Sequence, residues 1–321
     1  MSQTVLLREL EYLVALARER HFARAAAACH VSQPSLSTAI RKLERELDVQ
    51  IVLRGHRFAG LTPEGERVLL WARRILAGAT ALQQDLASMR GELSGTLRLG
   101  AVPTALTAAS LLITPLCTRH SEVHVILTSL TSREVAAQLA GFELDAALTY
   151  LDDDTLAGMK TFPLYEERYL LLTPAEGPLA DRPSVSWAEV AKLPLVLLTP
   201  RMRNRRIIDG LFAAHGPIPA PAVEADTVDA LYAHIATRRW SSIIAHAWLH
   251  TFGVPDGMRV LPLTGRSGGS RIGLVVAGRE PEPYIVKALL DLLPAIDVRG
   301  VLHRLLRDHL SSPSATRRTA L

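Results

Sequence analysis

Apolar residues recur at helical spacing in the first part of the chain and predict a bundle of short helices. One stripe marks the first helix: Leu10, Leu13, Val14 and Ala17. Residues 22–29 follow, and their high alanine content favours a second helix that lets neighbouring backbones approach closely. The chain therefore begins with a compact helical module.

A capped turn separates the second predicted helix from a third. Ser32 is a natural N-cap because its hydroxyl accepts a free backbone N–H, and Pro34 is tolerated in a first helical turn. The third helix has an apolar stripe and polar, basic remaining faces; the stripe is Leu36, Ile40, Leu43 and Leu47. A short break before such a helix is typical of the helix-turn-helix, whose second helix meets base edges in the major groove. The same pattern also fits a solvated face in an all-α bundle.

A long helix with a seven-residue repeat is predicted next. Thr62 would cap it, and Pro63 suits its first position. Two apolar series then run in parallel: Val68, Ile75, Leu82 and Met89, and four residues later Ala72, Ala79, Leu86 and Leu93. Such a seam implies a partner helix, with a lone helix packed on its own domain as the alternative. The candidate dimerisation residues are Val68, Ile75, Leu82, Leu86 and Met89.

From Gly95 onward the pattern changes to strands alternating with helices. Residues 96–100, 123–127 and 144–149 have the apolar character of strands, and further apolar runs follow at 170–172, 195–198, 243–244 and 272–276. This alternation predicts an α/β domain with largely parallel strand pairing. We place domain boundaries at 1–62, 63–92 and 93–303, and treat 304–321 as a polar C-terminal tail with a disordered end.

The N-terminal module resembles the winged helix-turn-helix of LysR-type transcriptional regulators over about 65 residues. The residues that carry the resemblance are Phe22, Ala25-Ala26, Val31-Ser32-Gln33-Pro34, Ser37, Leu43-Glu44, Arg54, Arg57 and Leu61-Thr62-Pro63-Glu64-Gly65. The chain departs from the family at Asp48, where glycine is usual, and at Ile51-Val52, where Leu-Phe is usual. Both departures affect the packing of the wing and leave the groove-facing residues unchanged.

The resemblance implies which residues contact double-stranded DNA. On the third helix these are Gln33, Ser35, Thr38 and Arg41, with Lys42 as a weaker candidate, and in the wing they are Arg54 and Arg57. It also implies a homodimer or homotetramer on an inverted-repeat promoter site, with RNA polymerase as a further partner. The linker helices would pair antiparallel, and two half-sites would multiply the affinity.

For the remaining residues the resemblance implies a two-lobed domain like that of periplasmic binding proteins, with a small ligand between the lobes. Lobe I would comprise about 95–165 and 270–302, and lobe II about 166–269. Helix N-termini that face such a cleft favour anions, so we expect a small carboxylate or another small anion as effector. The candidate effector-binding residues are Thr104, Thr131, Ser132, Thr199, Arg201, Arg203, Thr227 and His246. For each hydroxyl a plain helix cap, and for each arginine a solvated loop, is the alternative. Within the family, residues 147–152 and 163–169 resemble regulators of formate-metabolism operons.

Composition excludes several classes of function. The formal net charge is only +4, so a basic surface for DNA must be local. The pattern contains neither a segment that could span a membrane nor a signal peptide, so it predicts a cytoplasmic protein. Catalytic motifs, phosphate loops and paired Cys/His spacings are also absent, so we expect neither an enzyme nor a metal site. Two alternatives remain: a redox-sensing regulator that uses Cys117, one of two cysteines, or a solute-binding protein without DNA binding.

Overall fold

A computed structural model of the chain describes residues 7–53, 58–88, 93–265 and 269–311. Three helices open the fold: α1 (Leu7–Glu19), α2 (Phe22–Ala28) and α3 (Gln33–Leu47). Their apolar faces meet in one core with Leu13, Leu36 and Leu43 at its centre. The Ser32 hydroxyl accepts the backbone N–H of Ser35 and caps α3, as the sequence predicted.

The residue that ends α3 explains one departure from the family pattern. Asp48 adopts a left-handed conformation with φ of 52° at the C-cap. Glycine is the usual residue in that conformation, but aspartate tolerates it better than most other residues because of its short polar side chain. The substitution therefore keeps the turn that leads into the wing.

The long helix α4 (Pro63–Ser88) follows the wing in the chain and begins at the helical core. Thr62 caps it by accepting the N–H of Gly65 at 2.9 Å. Gly65 lies so close to the Ile51 carbonyl that any side chain there would collide with the backbone. The first turns of α4 pack on α1 through Leu69 and Ala72, whereas the later turns extend about 1.5 Å per residue away from this core.

Lobe I is built on a five-stranded sheet in the order β2-β1-β3-β11-β4. Its strands are β1 (Gly95–Ala101), β2 (Val123–Ser129), β3 (Ala146–Tyr150), β4 (Lys160–Glu166) and β11 (Arg271–Val276). The helices of this lobe are α5 (Leu106–Arg119), α6 (Ser132–Ala140) and α11 (Tyr284–Leu292), with short 3₁₀ turns at Asp154–Leu156 and Leu293–Ala295. The apolar residues of β1, β3 and β11 pack against α5 and α11 to form the core.

Lobe II has a four-stranded sheet, β6-β10-β5-β9, beside a parallel pair, β7-β8. Its strands are β5 (Tyr169–Pro174), β6 (Val185–Ser186), β7 (Val196–Leu198), β8 (Val223–Ala225), β9 (Ser242–Ala245) and β10 (Met258–Thr264). The helices are α7 (Trp187–Val190), α8 (Arg203–His215), α9 (Val228–Ile235) and α10 (Leu249–Phe252), with a 3₁₀ turn at His246–Trp248. Trp187, Phe212 and Trp248 are the largest side chains in its core.

The pairing in both sheets is mixed, which corrects the expectation of largely parallel strands. β1 pairs in parallel with β2 and β3, but β11 runs antiparallel to both β3 and β4. In lobe II, β5 is antiparallel to both β9 and β10. The strands that return from one lobe to the other produce this antiparallel pairing.

The last helix, α12 (Val298–Ser311), joins the two lobes and corrects the predicted start of the C-terminal tail. Leu302 is buried in the core of lobe I, and Leu306, one turn later, is buried in the core of lobe II. A boundary at 303/304 therefore falls inside a packed helix. The predicted disorder concerns residues 312–321, which lie outside the described part of the chain. In the ranges that are described, no helix is both long and apolar enough to cross a membrane.

Candidate functional site

The solvent-facing side of α3 presents the polar residues that the sequence assigns to DNA. Gln33, Ser35, Thr38 and Arg41 are all exposed. Thr38 and Arg41 lie in a shallow groove together with Arg45 and Gln50. Arg45 is exposed in this groove, and the nearby Glu46 pairs with Lys42 at 3.4 Å. The first turns of α3 are thus accessible to a duplex.

Lys42, the weaker candidate for a DNA contact, is partly exposed but already takes part in two ion pairs within the helical domain. Its Nζ donates to Glu9 Oε1 at 2.5 Å and also lies 3.4 Å from Glu46 Oε1. The hydrogen bond with Glu9 raises the pKa of Lys42. Because Glu9 is buried on α1, this pair links the recognition helix to the helical core, and the lysine charge is already compensated. The predicted wing contacts Arg54 and Arg57 lie outside the described residues.

The later turns of α4 carry an uncovered apolar face. Ile75, Leu82 and Leu86 are 44%, 60% and 53% exposed, and Trp71, which sequence reasoning missed, is 52% exposed. Val68 instead packs against the core of its own helical domain, and Met89 lies outside the described residues. Two residues of the second heptad series, Ala72 and Leu93, are buried within this chain. The apolar face that remains is therefore shorter than the predicted seam.

A cavity of about 400 Å³ lies between the two lobes; we call it the interlobe cleft. The N-terminus of α6 lines it from lobe I, and the N-terminus of α8 lines it from lobe II. Its lining residues are Val102, Pro103, Thr104, Thr131, Ser132, Arg133, Tyr150, Arg201, Met202, Arg203, Asn204 and Arg206. Free backbone N–H groups and the helix dipoles make both N-termini favourable to negative charge.

The hydroxyls at the start of α6 have different roles from those that the sequence suggested. Thr131, not Ser132, is the N-cap, and it forms a reciprocal capping box with Glu134. That hydrogen bonding lowers the pKa of Glu134. Ser132 is the first residue of the helix, and its buried Oγ has no hydrogen-bond partner among the described residues. Ser132 therefore has a hydroxyl free for a ligand, whereas the Thr131 hydroxyl is already engaged.

A buried network forms the floor of the interlobe cleft. Thr104 Oγ1 lies 2.9 Å from the Tyr150 hydroxyl, and this phenol donates at 3.4 Å to Glu167 Oε2. The Tyr169 hydroxyl donates to the same oxygen at 2.8 Å. Burial raises the pKa of Glu167 to about 7, because the charged carboxylate is disfavoured away from water. Glu167 stands where the chain crosses between the lobes, so the floor of the cleft and the hinge share this network.

Asn204 completes this floor from lobe II. It belongs to the first turn of α8 and is only 1% exposed. It lies close enough to Tyr150 and Glu167 to offset a small part of the rise in pKa that burial causes in both, yet among the described residues neither polar atom of its amide finds a hydrogen-bond partner of good geometry. Such a buried, unpaired amide costs free energy unless a ligand or water satisfies it.

Arginines surround the outer part of the interlobe cleft. Arg203 is held by an ion pair with Asp153, and its guanidinium lies over the Tyr150 ring, 5.2 Å from the centroid. Arg206 donates to the carbonyls of Pro200 and Arg201 and so shapes the loop before α8. Arg201 and Arg133 are exposed at the cleft entrance. Arg205 is turned into lobe II, where it binds Asp209 and Glu224, and it supports the fold.

Three residues predicted to bind the effector lie outside the interlobe cleft lining. Thr227 is exposed and caps α9 by accepting the N–H of Ala230. Thr199 precedes the α8 loop, and its buried Oγ1 finds no hydrogen-bond partner in the part of the chain that the structure describes. His246 is buried behind the hinge, where its Nδ1 accepts the N–H of Arg168 at 3.1 Å. Burial, with His303 and Arg168 nearby, lowers the pKa of His246 to about 4.

Sequence reasoning missed Tyr150 and Asn204, the two residues that shape the cleft floor. Tyr150 is the last residue of a fully buried strand that faces the cleft at this end, so a hydroxyl-bearing residue at the strand end was the available signal. Asn204 stands among four arginines at the start of a helix, so the sequence pattern there indicates positive charge and gives no sign of a buried amide. In the described parts of the chain, no group of three or more His, Cys, Asp or Glu side chains could hold a metal ion.

Comparison with known proteins matches both parts of this architecture. The model of the LysR substrate binding domain matches residues 90–295, and that of the bacterial regulatory helix-turn-helix protein, lysR family, matches residues 7–66. Among curated relatives, the hydrogen peroxide-inducible genes activator of Pectobacterium carotovorum subsp. carotovorum is 37% identical over 194 residues, 60% of this chain and 64% of that protein. The DNA-binding transcriptional dual regulator OxyR of Escherichia coli is 37% identical over 194 residues, 60% of this chain and 63% of that protein. The match thus spans a little under two thirds of these relatives.

Solved structures agree with the fold over nearly the whole chain. A full-length OxyR variant from Pseudomonas aeruginosa superposes with a TM-score of 0.73 at 25% identity, covering 93% of this chain and 100% of that one. CbnR, a LysR family transcriptional regulator, superposes with a TM-score of 0.65 at 22% identity, covering 91% of this chain and 99% of that one, and supports the fold alone. This family combines a helical N-terminal domain with a two-lobed α/β domain, as this chain does. Its members are transcriptional regulators and not enzymes. The chain belongs to the LysR family of bacterial helix-turn-helix regulatory proteins.

Proposed function

We propose that the chain is a sequence-specific, DNA-binding transcriptional regulator whose affinity or arrangement on DNA responds to a small anion in the interlobe cleft. The observation that carries the proposal is the convergence of two helix N-termini, one from each lobe, on a cavity rimmed by arginines. An anion bound there contacts both lobes at once. It therefore favours the closed arrangement by the difference between its affinities for the closed and open states.

DNA binding is supported by the accessible first turns of α3. Gln33 and Thr38 offer amide and hydroxyl groups for base edges, and Arg41 offers a guanidinium for guanine or phosphate. Self-association is supported by the uncovered apolar face of α4, formed by Trp71, Ile75, Leu82 and Leu86. Two copies would present two recognition helices to an inverted repeat.

The test is a DNA-binding titration of the full chain against the intergenic region upstream of its own gene, beside a scrambled duplex, at two salt concentrations. We expect a preference of roughly a thousandfold that survives the higher salt, since non-specific binding falls steeply with salt. Small carboxylates added to the same titration should shift the affinity or the footprint. The matched variant Arg201→Gln should keep the DNA affinity and lose that shift. Equal, salt-sensitive binding to both duplexes would contradict the proposal.

A redox sensor is the second candidate, because relatives are named for hydrogen peroxide-inducible genes. The geometry gives it less support. Cys29 lies at the end of α2, and burial, followed by Glu11, raises the pKa of its thiol, which disfavours the reactive thiolate. Cys117 lies on α5 with its Sγ 4.0 Å from the Val123 carbonyl, and neither cysteine lines the interlobe cleft. A DNA-binding response to peroxide that Cys117→Ser abolishes would favour this candidate over an anion.

Formate is poorly matched to the interlobe cleft. A cavity of about 400 Å³ is far larger than the smallest carboxylate requires. The residues that carried the resemblance to regulators of formate-metabolism operons, 147–152 and 163–169, form strand and hinge in this structure and include Tyr150 and Glu167 of the cleft floor. We therefore propose a larger anion.

A further inference from the structure

The interlobe cleft has two chemically different ends, and the difference constrains what can bind there. Its outer end is positive, because Arg133, Arg201 and Arg206 all line it and none of their guanidinium groups has an ion-pair partner among the described residues. Arg203, the fourth arginine, is already neutralised by Asp153. A carboxylate or another oxyanion therefore fits the outer end.

The inner end presents hydrogen-bond acceptors. The Tyr150 hydroxyl donates to Glu167, so its own lone pair accepts the proton of the Thr104 hydroxyl. Thr104 Oγ1 has then used its only proton and faces the cleft as an acceptor. Tyr169 also donates to Glu167 Oε2, at 2.8 Å, so both phenols direct their protons to the same carboxyl oxygen.

Two unpaired side chains stand beside that acceptor. Asn204 is 1% exposed and Ser132 is 7% exposed; both line the cleft, and neither makes a side-chain hydrogen bond. The Asn204 amide adds a second acceptor, its carbonyl oxygen, beside an unpaired N–H donor, and the Ser132 hydroxyl can either donate or accept. Buried polar groups of native proteins are rarely left unpaired, so these atoms indicate where a ligand supplies the missing partners.

A simple carboxylate meets only half of these requirements. Its oxygens suit the arginines, but its hydrocarbon end would leave the Asn204 amide and the Ser132 hydroxyl desolvated and unpaired. A molecule with an anionic group and a separate hydrogen-bond donor satisfies both ends. Sites built to hydrogen-bond a hydroxyl or an amine reject analogues that lack it much more strongly than apolar pockets reject an extra methylene.

We propose that the effector is a hydroxy- or amino-carboxylate, with its carboxylate towards Arg201 and Arg133 and its hydroxyl or ammonium group towards Asn204 and Thr104. This inference rests on the proposed function, in which the interlobe cleft binds a small anion. It adds that Asn204 is a specificity-determining residue, because its amide distinguishes ligands that carry a donor from ligands of equal size that do not.

The experiment is calorimetric titration of the full chain with two matched ligand series: propionate, lactate and alanine, and succinate, malate and aspartate. Within each series the skeleton is constant, and only the donor is added. In the first series we expect lactate or alanine to bind at least tenfold tighter than propionate. In the second series we expect malate or aspartate to bind at least tenfold tighter than succinate. Preference for the hydroxyl or for the ammonium member then identifies which donor the cleft accepts.

Asn204→Leu, which keeps the number and branching of the side-chain heavy atoms and removes the amide, should reduce that preference to less than threefold. Gln138→Leu is the control, since it also replaces an amide side chain by leucine, but on α6 outside the cleft, and it should leave the preference intact. Circular dichroism verifies the fold of both variants, and the ligand series on the unaltered chain tests the idea even where a variant unfolds. Equal binding within each series overturns this inference and leaves the anion-binding function standing. Absence of binding by all six compounds overturns both.

Discussion

Two buried groups on either side of the hinge should give the protein opposing pH dependences, which single substitutions would reveal. Glu167 has its pKa raised from 4.5 to about 7 by burial, and His246 has its pKa lowered from 6.5 to about 4 by burial and by neighbouring positive groups. Between pH 4.5 and 7 the folded protein keeps a proton on Glu167 that the unfolded chain releases. Stability therefore falls as pH rises through this window.

For His246 the sign is reversed. Between pH 4 and 6.5 the unfolded chain binds a proton that the folded protein does not, so stability rises with pH. Each shift corresponds to roughly 3 kcal/mol at about 1.4 kcal/mol for each unit of pKa. From pH 4.5 to 6.5 the two contributions largely cancel in the unaltered protein.

The substitutions are Glu167→Gln, which is isosteric, and His246→Asn, whose amide oxygen can replace the Nδ1 that accepts from Arg168. Urea unfolding of the full chain is followed by the fluorescence of Trp187 and Trp248, which are buried in lobe II. Relative to the unaltered chain, the free energy of unfolding of Glu167→Gln should rise by about 3 kcal/mol from pH 4.5 to 7, and that of His246→Asn should fall by a similar amount from pH 4 to 6.5. Parallel pH profiles for all three proteins would refute the assignment of neutral forms to these two groups.

Further predictions concern the helical domain and the last helix. Arg41→Ala should weaken specific DNA binding by about 1–3 kcal/mol, as measured by fluorescence anisotropy. Lys42→Ala breaks the pair with Glu9, so it should lower the stability of the helical domain and keep its sequence preference. A larger loss of DNA affinity for Lys42→Ala than for Arg41→Ala would contradict this difference in roles. Leu82→Glu should convert the assembly to monomers, as measured by sedimentation velocity. The control Gln83→Glu places the same charge at the next position and should leave the assembly intact. An unchanged assembly in both variants would exclude this face of α4 from the interface. Leu306→Ala should cost about 2–5 kcal/mol of unfolding free energy, because it empties part of the lobe II core, and an unchanged urea midpoint would show that α12 does not stabilise this lobe.

Sequence reasoning succeeded where local physical chemistry decides the structure. The Ser32 and Thr62 caps, the apolar stripe of α3 and the strands β1, β5 and β11 depend on neighbours within a few residues. The two-lobed fold class was likewise predictable, since the alternation of strands and helices and the family resemblance point to the same architecture.

It failed where a distant residue decides the outcome. Lys42 is engaged by Glu9, which stands on another helix, 33 positions earlier in the chain. Thr131 and Thr227 both cap helices, but only the first helix begins at the interlobe cleft, and no local pattern distinguishes them. The partly exposed β4 and β10 lack a continuous apolar run, so the antiparallel half of each sheet was missed.

The position of α12 gives the regulatory domain a preferred direction of opening. Leu302 and Leu306 are anchored in different cores only about 6 Å apart along one rigid helix, so the lobes cannot part along this edge without exposing one of the leucines. Each exposure would cost about 1.5–3 kcal/mol. The helix therefore defines a hinge axis, and the two lobes rotate about it, so the displacement is greatest at the edge of the domain farthest from α12. The segment that the sequence assigned to a tail thus sets the axis along which ligand binding is converted into movement.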